Sequence, residues 1–245
     1  MTWKDRDHPR AGGAEAVNEA LAARLVAMGH EVTFVVAGFP GAAAEIQRDG
    51  FRVVRVGGRL SVYPRAWRQY RSTLRGNVDV VVDEMNTLPF FARWYAKEPT
   101  VLFAHQLARS VWFHELPAAL GAFGWMLEPL YVRALSRQTA VTISESTKRD
   151  LVRHGFRSEA ITVLSQLGHA PAAATLPHKS WGRPTLLAFG SVRAMKRTLH
   201  VLRAFEIAKR ALPELKLVIA GSTDGSYGER VVEAVRASEH RGSIR

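Results

Sequence analysis

The chain has 245 residues, 47% hydrophobic and 9% aromatic, enough for one large globular domain or two modest ones. It has no cysteine, which excludes disulfides and cysteine metal sites, and no apolar run near the ~18 residues that span a bilayer. Lys and Arg total 34 against 22 Asp and Glu, and the net charge of +12 favours an anionic partner, although liberal genomic use of arginine would give the same balance.

The first ten residues are charged and lack the apolar stretch of a signal peptide, and "MTWKDRD" is short and polar for a buried strand. "HPRAGGAEAV" then reads as a glycine loop opening a helix over Ala14–Met28, with Val17, Leu21, Leu25 and Met28 at helical spacing. Glu15 suits its first turn and Gly29 its C-terminal cap. "HEVTFVVAG" reads as a strand, residues 42–49 as a helix, and "FRVVRVG" as the next strand. The stretch Phe51–Val78 holds seven arginines and no acid. On a helix starting at Pro64, Arg65, Arg68, Arg71 and Arg75 fall on one side, with Ala66, Trp67, Tyr70 and Leu74 on the other. Such a helix suits an anionic membrane surface, or it packs its aromatic face on its own domain. The strands "VDVVVDE", "TVLFAH", "AVTIS" and "AITVL" follow, separated by helices at 88–96, 121–135 (interrupted by Pro129) and 145–154. Alternation of this kind predicts a parallel sheet covered on both faces.

"GHAPAAATLPHKSWGRP" holds three prolines and little periodicity, and reads as a linker over 168–184. Beyond it come the strand "TLLAFG", a helix around 199–211, the strand "LKLVIAG" and a final helix from about Glu229. The expected organisation is a first domain over 1–167 and a second starting at 185 and running to 245. Two strands bury too little to close a domain, so the chain is expected to be a fragment lacking a strand before the glycine loop and most of the second domain.

The stretches "DHPRAGGAE", "ALAARLVAMGHEVTFV", "HQL", "AVTISESTKRDLVRHGF" and "FGSVRAMKRTLHVLRAFEIAKRALPELKLVIAG", in this order, resemble the retaining glycosyltransferases of group 1, or family four. The resemblance covers nearly the whole chain. It implies an α/β protein of GT-B type, with a Rossmann-like acceptor domain facing a second Rossmann-like domain that holds a nucleotide-diphosphate sugar. The implied activity is hexosyl transfer to an acceptor hydroxyl with retention, in cell-envelope, polysaccharide or glycolipid biosynthesis. The acceptor would be a carbohydrate or a lipid-linked molecule, at a cytoplasmic location with possible peripheral contact at the inner membrane face through Arg65–Arg75. The family's late acidic motif has no counterpart before Arg245, so the chain alone is expected to be inactive.

Gly12 and Gly13 have no side chains, so backbone N–H groups there could approach an anion or a sugar closely, or the pair could be an ordinary turn. His105 ends the strand "TVLFAH", at the carboxyl edge where α/β sheets place their sites, and the resemblance sets it against the transferred sugar as the catalytic histidine. Asp83, Glu84 and Asn86 lie just past a strand end, able to hold an acceptor hydroxyl or to cap the next helix. Ser144 is a natural N-cap near the expected cleft. In "GSVRAMKR" the resemblance implies two cations on the donor diphosphate: Arg193 in place of the family's arginine, where Ser191 stands, and Lys196, or Arg197 if no gap is assumed, in the role of its lysine. A solvated basic helix start is the other reading. Two positions depart from the family: Ser191 stands where arginine is usual, and "SQLGHAP" where Asn-Gly is. No cofactor or metal is expected, since the family needs none and His8, His30 and His169 lack ligand spacing. Two other readings compete. A Rossmann oxidoreductase or epimerase would need G-x-G-x-x-G after a strand, and a basic anion-binding module lacks any nucleic-acid signature, so no nucleic-acid partner is expected.

Overall fold

The computed structural model describes residues 1–164 and 184–245, so the expected linker, apart from Pro184, and the "SQLGHAP" departure lie outside the described residues. The chain divides into two compact units, 1–170 and 171–245.

In the first unit, helix α1 (Gly13–Ala27) is followed by strands β1 (Thr33–Val36), β2 (Glu45–Arg48) and β3 (Phe51–Arg55). Helix α2 (Val62–Gln69) then runs into a π-helical turn, Tyr70–Leu74. Strand β4 (Val81–Met85), β5 (Thr100–Ala104), the short helix α3 (Trp112–Glu115) and the long α4 (Ala118–Ala134) come next, then β6 (Thr139–Thr142), α5 (Glu145–Arg153) and β7 (Ile161–Val163). One sheet has the order β1-β3-β2 and the other β4-β5-β6-β7, the latter wholly parallel. Helix-covered parallel strands make the first unit a mixed α/β, Rossmann-like domain, as expected.

No regular strand precedes the glycine pair, yet the opening residues are not a polar tail: Thr2, Lys4 and Asp5 are buried. The Thr2 N–H donates to the Val35 carbonyl and the Ala37 N–H to the Trp3 carbonyl. On the other side the Met1 ammonium donates to the Val82 carbonyl, and the Glu84 N–H to the Met1 carbonyl. The pairing with β4 has parallel register, whereas the two bonds to β1 are one residue out of it, so no regular ladder forms there. Residues 1–3 thus join the two sheets edge to edge.

The helix expected over 42–49 is instead the edge strand β2, antiparallel to β3. Asp49 and Gly50 both have positive φ, 45° and 81°, which is the Asp-Gly hairpin turn that reverses the chain. The helix expected over 88–96 is reduced to one 3-10 turn at Ala92–Trp94, because Asp83 accepts hydrogen bonds from the Phe90 and Ala92 N–H groups and Phe91 is left-handed at φ 58°. Pro129 does not interrupt α4, which runs 17 residues through it. Helix α1 turns Glu15, Asn18, Glu19 and Ala22 inward, while Met28 is exposed. The helix expected from Pro64 starts two residues earlier, and across α2 and the turn after it Ala66 and Tyr70 are buried in the domain while Arg65, Trp67, Arg68, Arg71 and Arg75 are exposed, so the aromatic face packs inward at Tyr70.

The core between the larger sheet and its helices is built from Met85, Leu102, Val132, Leu135, Leu151 and Phe156. The second unit pairs β8 (Thr185–Phe189) with β9 (Lys216–Ala220) in parallel and packs α6 (Thr198–Ala211) and α7 (Ser226–Ala237) on one face, around Leu202, Phe205, Leu215 and Leu217.

Candidate functional site

The polar residues of the first unit gather at the carboxyl end of β4 and β5. Parallel register sets Glu84 opposite Phe103 and Met85 opposite Ala104, so His105 leaves β5 beside the end of β4. His105 is buried, and its Nε2 lies 3.0 Å from Glu84 Oε1 and 3.0 Å from Asn18 Oδ1. Both neighbours are acceptors, because the Asn18 amide nitrogen is turned to Thr2 Oγ1 at 3.4 Å. Chemistry therefore assigns the proton to Nε2. The ring's Nδ1 is buried and has no partner among the described residues. The His105 carbonyl accepts from Thr147 Oγ1 at 3.3 Å, and Thr147 Oγ1 lies 3.0 Å from Ser144 Oγ. Ser144 caps α5, accepting the Thr147 N–H at 3.2 Å. The structure thus brings together His105, Glu84 and Ser144, three of the expected residues, and adds Asn18 and Thr147. Asn86 is half-buried just past β4.

The glycine loop is held by charge. The Gly12 N–H donates to Glu15 Oε2 at 2.6 Å, the one half of a capping box that a glycine can make, so it does not stand open to a ligand. Glu15 also pairs with Lys4 at 3.2 Å. Arg55 bridges Asp5 at 2.6 Å and Asp7 at 2.8 Å, and Arg48 reaches Glu19 at 2.8 Å. Gly13 begins α1 with nothing within 4 Å of where a Cβ would stand. After His105, buried Glu128 accepts the Ala108 and Arg109 N–H groups at 2.5 and 2.6 Å, fixing a turn in which Arg109 has φ 46°.

Asp83 and Glu84 lie within β4, not past it, and adjacent strand residues face opposite sides. Only Glu84 reaches His105. Asp83 is fully buried, and desolvation pushes its carboxyl up from 3.8 to about 6 against the opposing pull of the Phe90 and Ala92 N–H groups and the Met1 ammonium. A folded pKa above the unfolded one contributes stability below the unfolded value and loses it as pH rises through the folded one. Relative to Asp83→Asn, the native chain should therefore lose part of its advantage as pH rises from 4 to 7. Urea unfolding of both proteins across that range checks this, and a flat difference would contradict it.

In the second unit Ser191, Arg193, Lys196 and Arg197 are all exposed at the carboxyl end of β8, where the chain enters α6. Arg193, Lys196 and Arg197 form no ion pair among the described residues. Gly190 and Gly221 pack so closely that a Cβ on Gly221 would come within 2.0 Å of the Gly190 carbonyl oxygen. Among the described residues no group of three or more His, Asp or Glu could hold a metal ion, and no helix is long and apolar enough to cross a membrane.

No curated protein sequence matches this chain. The family model Glycosyltransferase Family 4 matches residues 11–166, which span the glycine loop, the whole larger sheet and the His105 cluster. With more than half of its length in that match and an α/β fold to suit it, the chain belongs to glycosyltransferase family 4.

Proposed function

We propose that this glycosyltransferase moves a hexosyl group from a nucleotide-diphosphate sugar to an acceptor hydroxyl with retention, in the synthesis of a cell-envelope polysaccharide or glycolipid. The observation that carries the reading is the buried His105–Glu84–Asn18 cluster at the carboxyl edge of the matched sheet. His105 would meet the transferred sugar through its unpartnered Nδ1, with Glu84 and Asn18 holding the ring. Gly12, Gly13, Asn86 and Ser144 would border the acceptor or sugar. Arg193, Lys196 and Arg197, with Ser191, would meet the diphosphate, where negative charge grows as the bond breaks.

In the reaction the acceptor oxygen bonds to the anomeric carbon on the face the diphosphate leaves. The bond from that carbon to the phosphate oxygen breaks with its electron pair, and the hydroxyl proton passes to that oxygen. The reading assigns no metal. It also allows Arg65, Arg68, Arg71 and Arg75 an electrostatic contact with anionic lipid at the inner membrane face. Incubation of the chain, joined to a complete nucleotide-sugar-binding domain of a family member, with a panel of nucleotide-diphosphate sugars and carbohydrate or lipid acceptors tests the core of it, and the kinetic comparisons below use the same protein. The product should keep the donor's anomeric configuration by NMR, and chelator should not change turnover. An inverted product would overturn retention.

Gly13→Ala offers a narrower check. Open space at Gly13 means that the fold should tolerate a methyl, and removing a glycine from a helix contributes about 0.4–1 kcal/mol of stability. The expected result is an equal or higher unfolding midpoint with a reduced kcat/KM. Unchanged turnover would make the position an ordinary helix start.

A further inference from the structure

Helix α4 is inside out for a helix surrounded by water. Its inward residues are Gly121, Gly124 and Glu128 with Tyr131 and Val132, and its outward stripe is Leu120, Phe123, Met126, Leu127 and Leu130. Phe123, Met126 and Leu130 are each more than 60% exposed. An ordinary surface helix has the reverse distribution. The inner glycines serve close packing, since a Cβ on Gly124 would come within 2.6 Å of the Trp112 ring. The only charged residues in α4 are Glu128, which is buried on backbone N–H groups, and Arg133, which is exposed in the last turn. Arg137 follows it, exposed. Beside the helix, exposed Trp94 stacks on Phe91, whose ring meets Tyr131 of α4 edge-on. The stripe is therefore apolar and aromatic, with cations at its C-terminal rim and no exposed carboxylate within the helix.

We propose that α4 lies flat in the interfacial layer of an anionic lipid surface, its outer stripe among the upper acyl chains and Arg133 and Arg137 on lipid phosphates. Its 17 residues give a length of about 26 Å, and a stripe about 10 Å wide offers roughly 250 Å². A stable protein pair buries about 800 Å² on each side, so the stripe alone is too small to hold a second copy of the chain. A lipid surface needs no matching shape, and its charge complements the rim. The α2 face cannot do this work by insertion, because Tyr70 and Ala66 are spent on the domain's own core. The proposal is independent of the sugar-transfer reading.

The absence of native cysteine allows a single environment-sensitive dye at Phe123→Cys, with Gln47→Cys, exposed on the edge strand β2, as its control. With vesicles containing phosphatidylglycerol the Phe123 dye should shift to the blue and be quenched by lipid-borne quencher, and the Gln47 dye should not. Pure phosphatidylcholine vesicles should give a weaker response. The double variant Phe123→Glu, Leu130→Glu should partition at least about tenfold less onto the anionic vesicles, with its unfolding midpoint retained because both positions are exposed. An unshifted dye, or a variant that binds as well as the native chain, overturns the proposal. So does a native dimer that the variant converts to monomer, which would assign the stripe to a second copy.

Discussion

Arg55→Met is expected to destabilise the first unit by about 3–5 kcal/mol, the cost of leaving a buried charge without its partner. The Arg55 guanidinium is 4% exposed and Asp5 fully buried, and the same side chain reaches Asp7, the Ala43 carbonyl at 3.1 Å and the face of Phe39. Methionine fills much of the volume but leaves the Asp5 carboxylate stranded. Arg55→Lys keeps the charge and loses the fork, so it should fall between the two. The double variant Arg55→Met, Asp5→Asn should recover part of the loss, and chemical denaturation of the native chain, the single variants Arg55→Met and Asp5→Asn, and the double variant measures the coupling. A loss under 1 kcal/mol in the single variant would mean that water replaces the arginine, and that the network does not hold the 5–12 loop against β1 and β3.

His105→Ala is expected to lower kcat/KM about 10²–10³-fold, in the range seen when one preorganised electrostatic contact to a transition state is removed. Alanine also strips Glu84 of a partner, so the fold could suffer with the chemistry. His105→Gln separates the two. Its amide can still donate toward Glu84 and Asn18, while it lacks the ring Nδ1. An unfolding midpoint near the native value with turnover as low as that of the alanine variant would assign the effect to Nδ1. Full turnover in His105→Gln would make the histidine a spacer for Glu84.

The strands of the larger sheet were legible because parallel, doubly covered strands are continuous apolar runs, as in "VDVVV" and "TVLFA". Placing His105 and Ser144 at strand ends then located the candidate site. What was not legible depended on pairings distant in sequence. Four residues, "EIQR", look helical until the following Asp-Gly is read as a hairpin turn. The loop after β4 follows from Asp83 turning inward to hold it, which no local periodicity records. Nothing in the apolar spacing of Val17, Leu21, Leu25 and Met28 singles out Asn18 as an inner position. The signal available was the polar spacing Glu15, Asn18, Glu19, which with Ala22 forms one stripe of a helix whose inner side carries ion pairs and the histidine contact.

The way residues 1–3 bridge the two sheets has a consequence for how the chain finds its fold. Met1 is bonded to Val82, a sequence separation of 81, while Thr2 is bonded to Val35. The hairpin of β2 and β3 closes locally and can form early, and the β4–β5–β6–β7 sheet can assemble from its own neighbouring crossovers. Neither event seats the opening residues, which have both edges satisfied only when the two sheets are already side by side. Closing that loop comes late and is paid in chain entropy before its hydrogen bonds return anything. In a refolding time course, amide protection at Thr2 and Glu84 should therefore lag behind protection at Val53 and Leu102, and the joint between the sheets should be the first part of the unit to reopen.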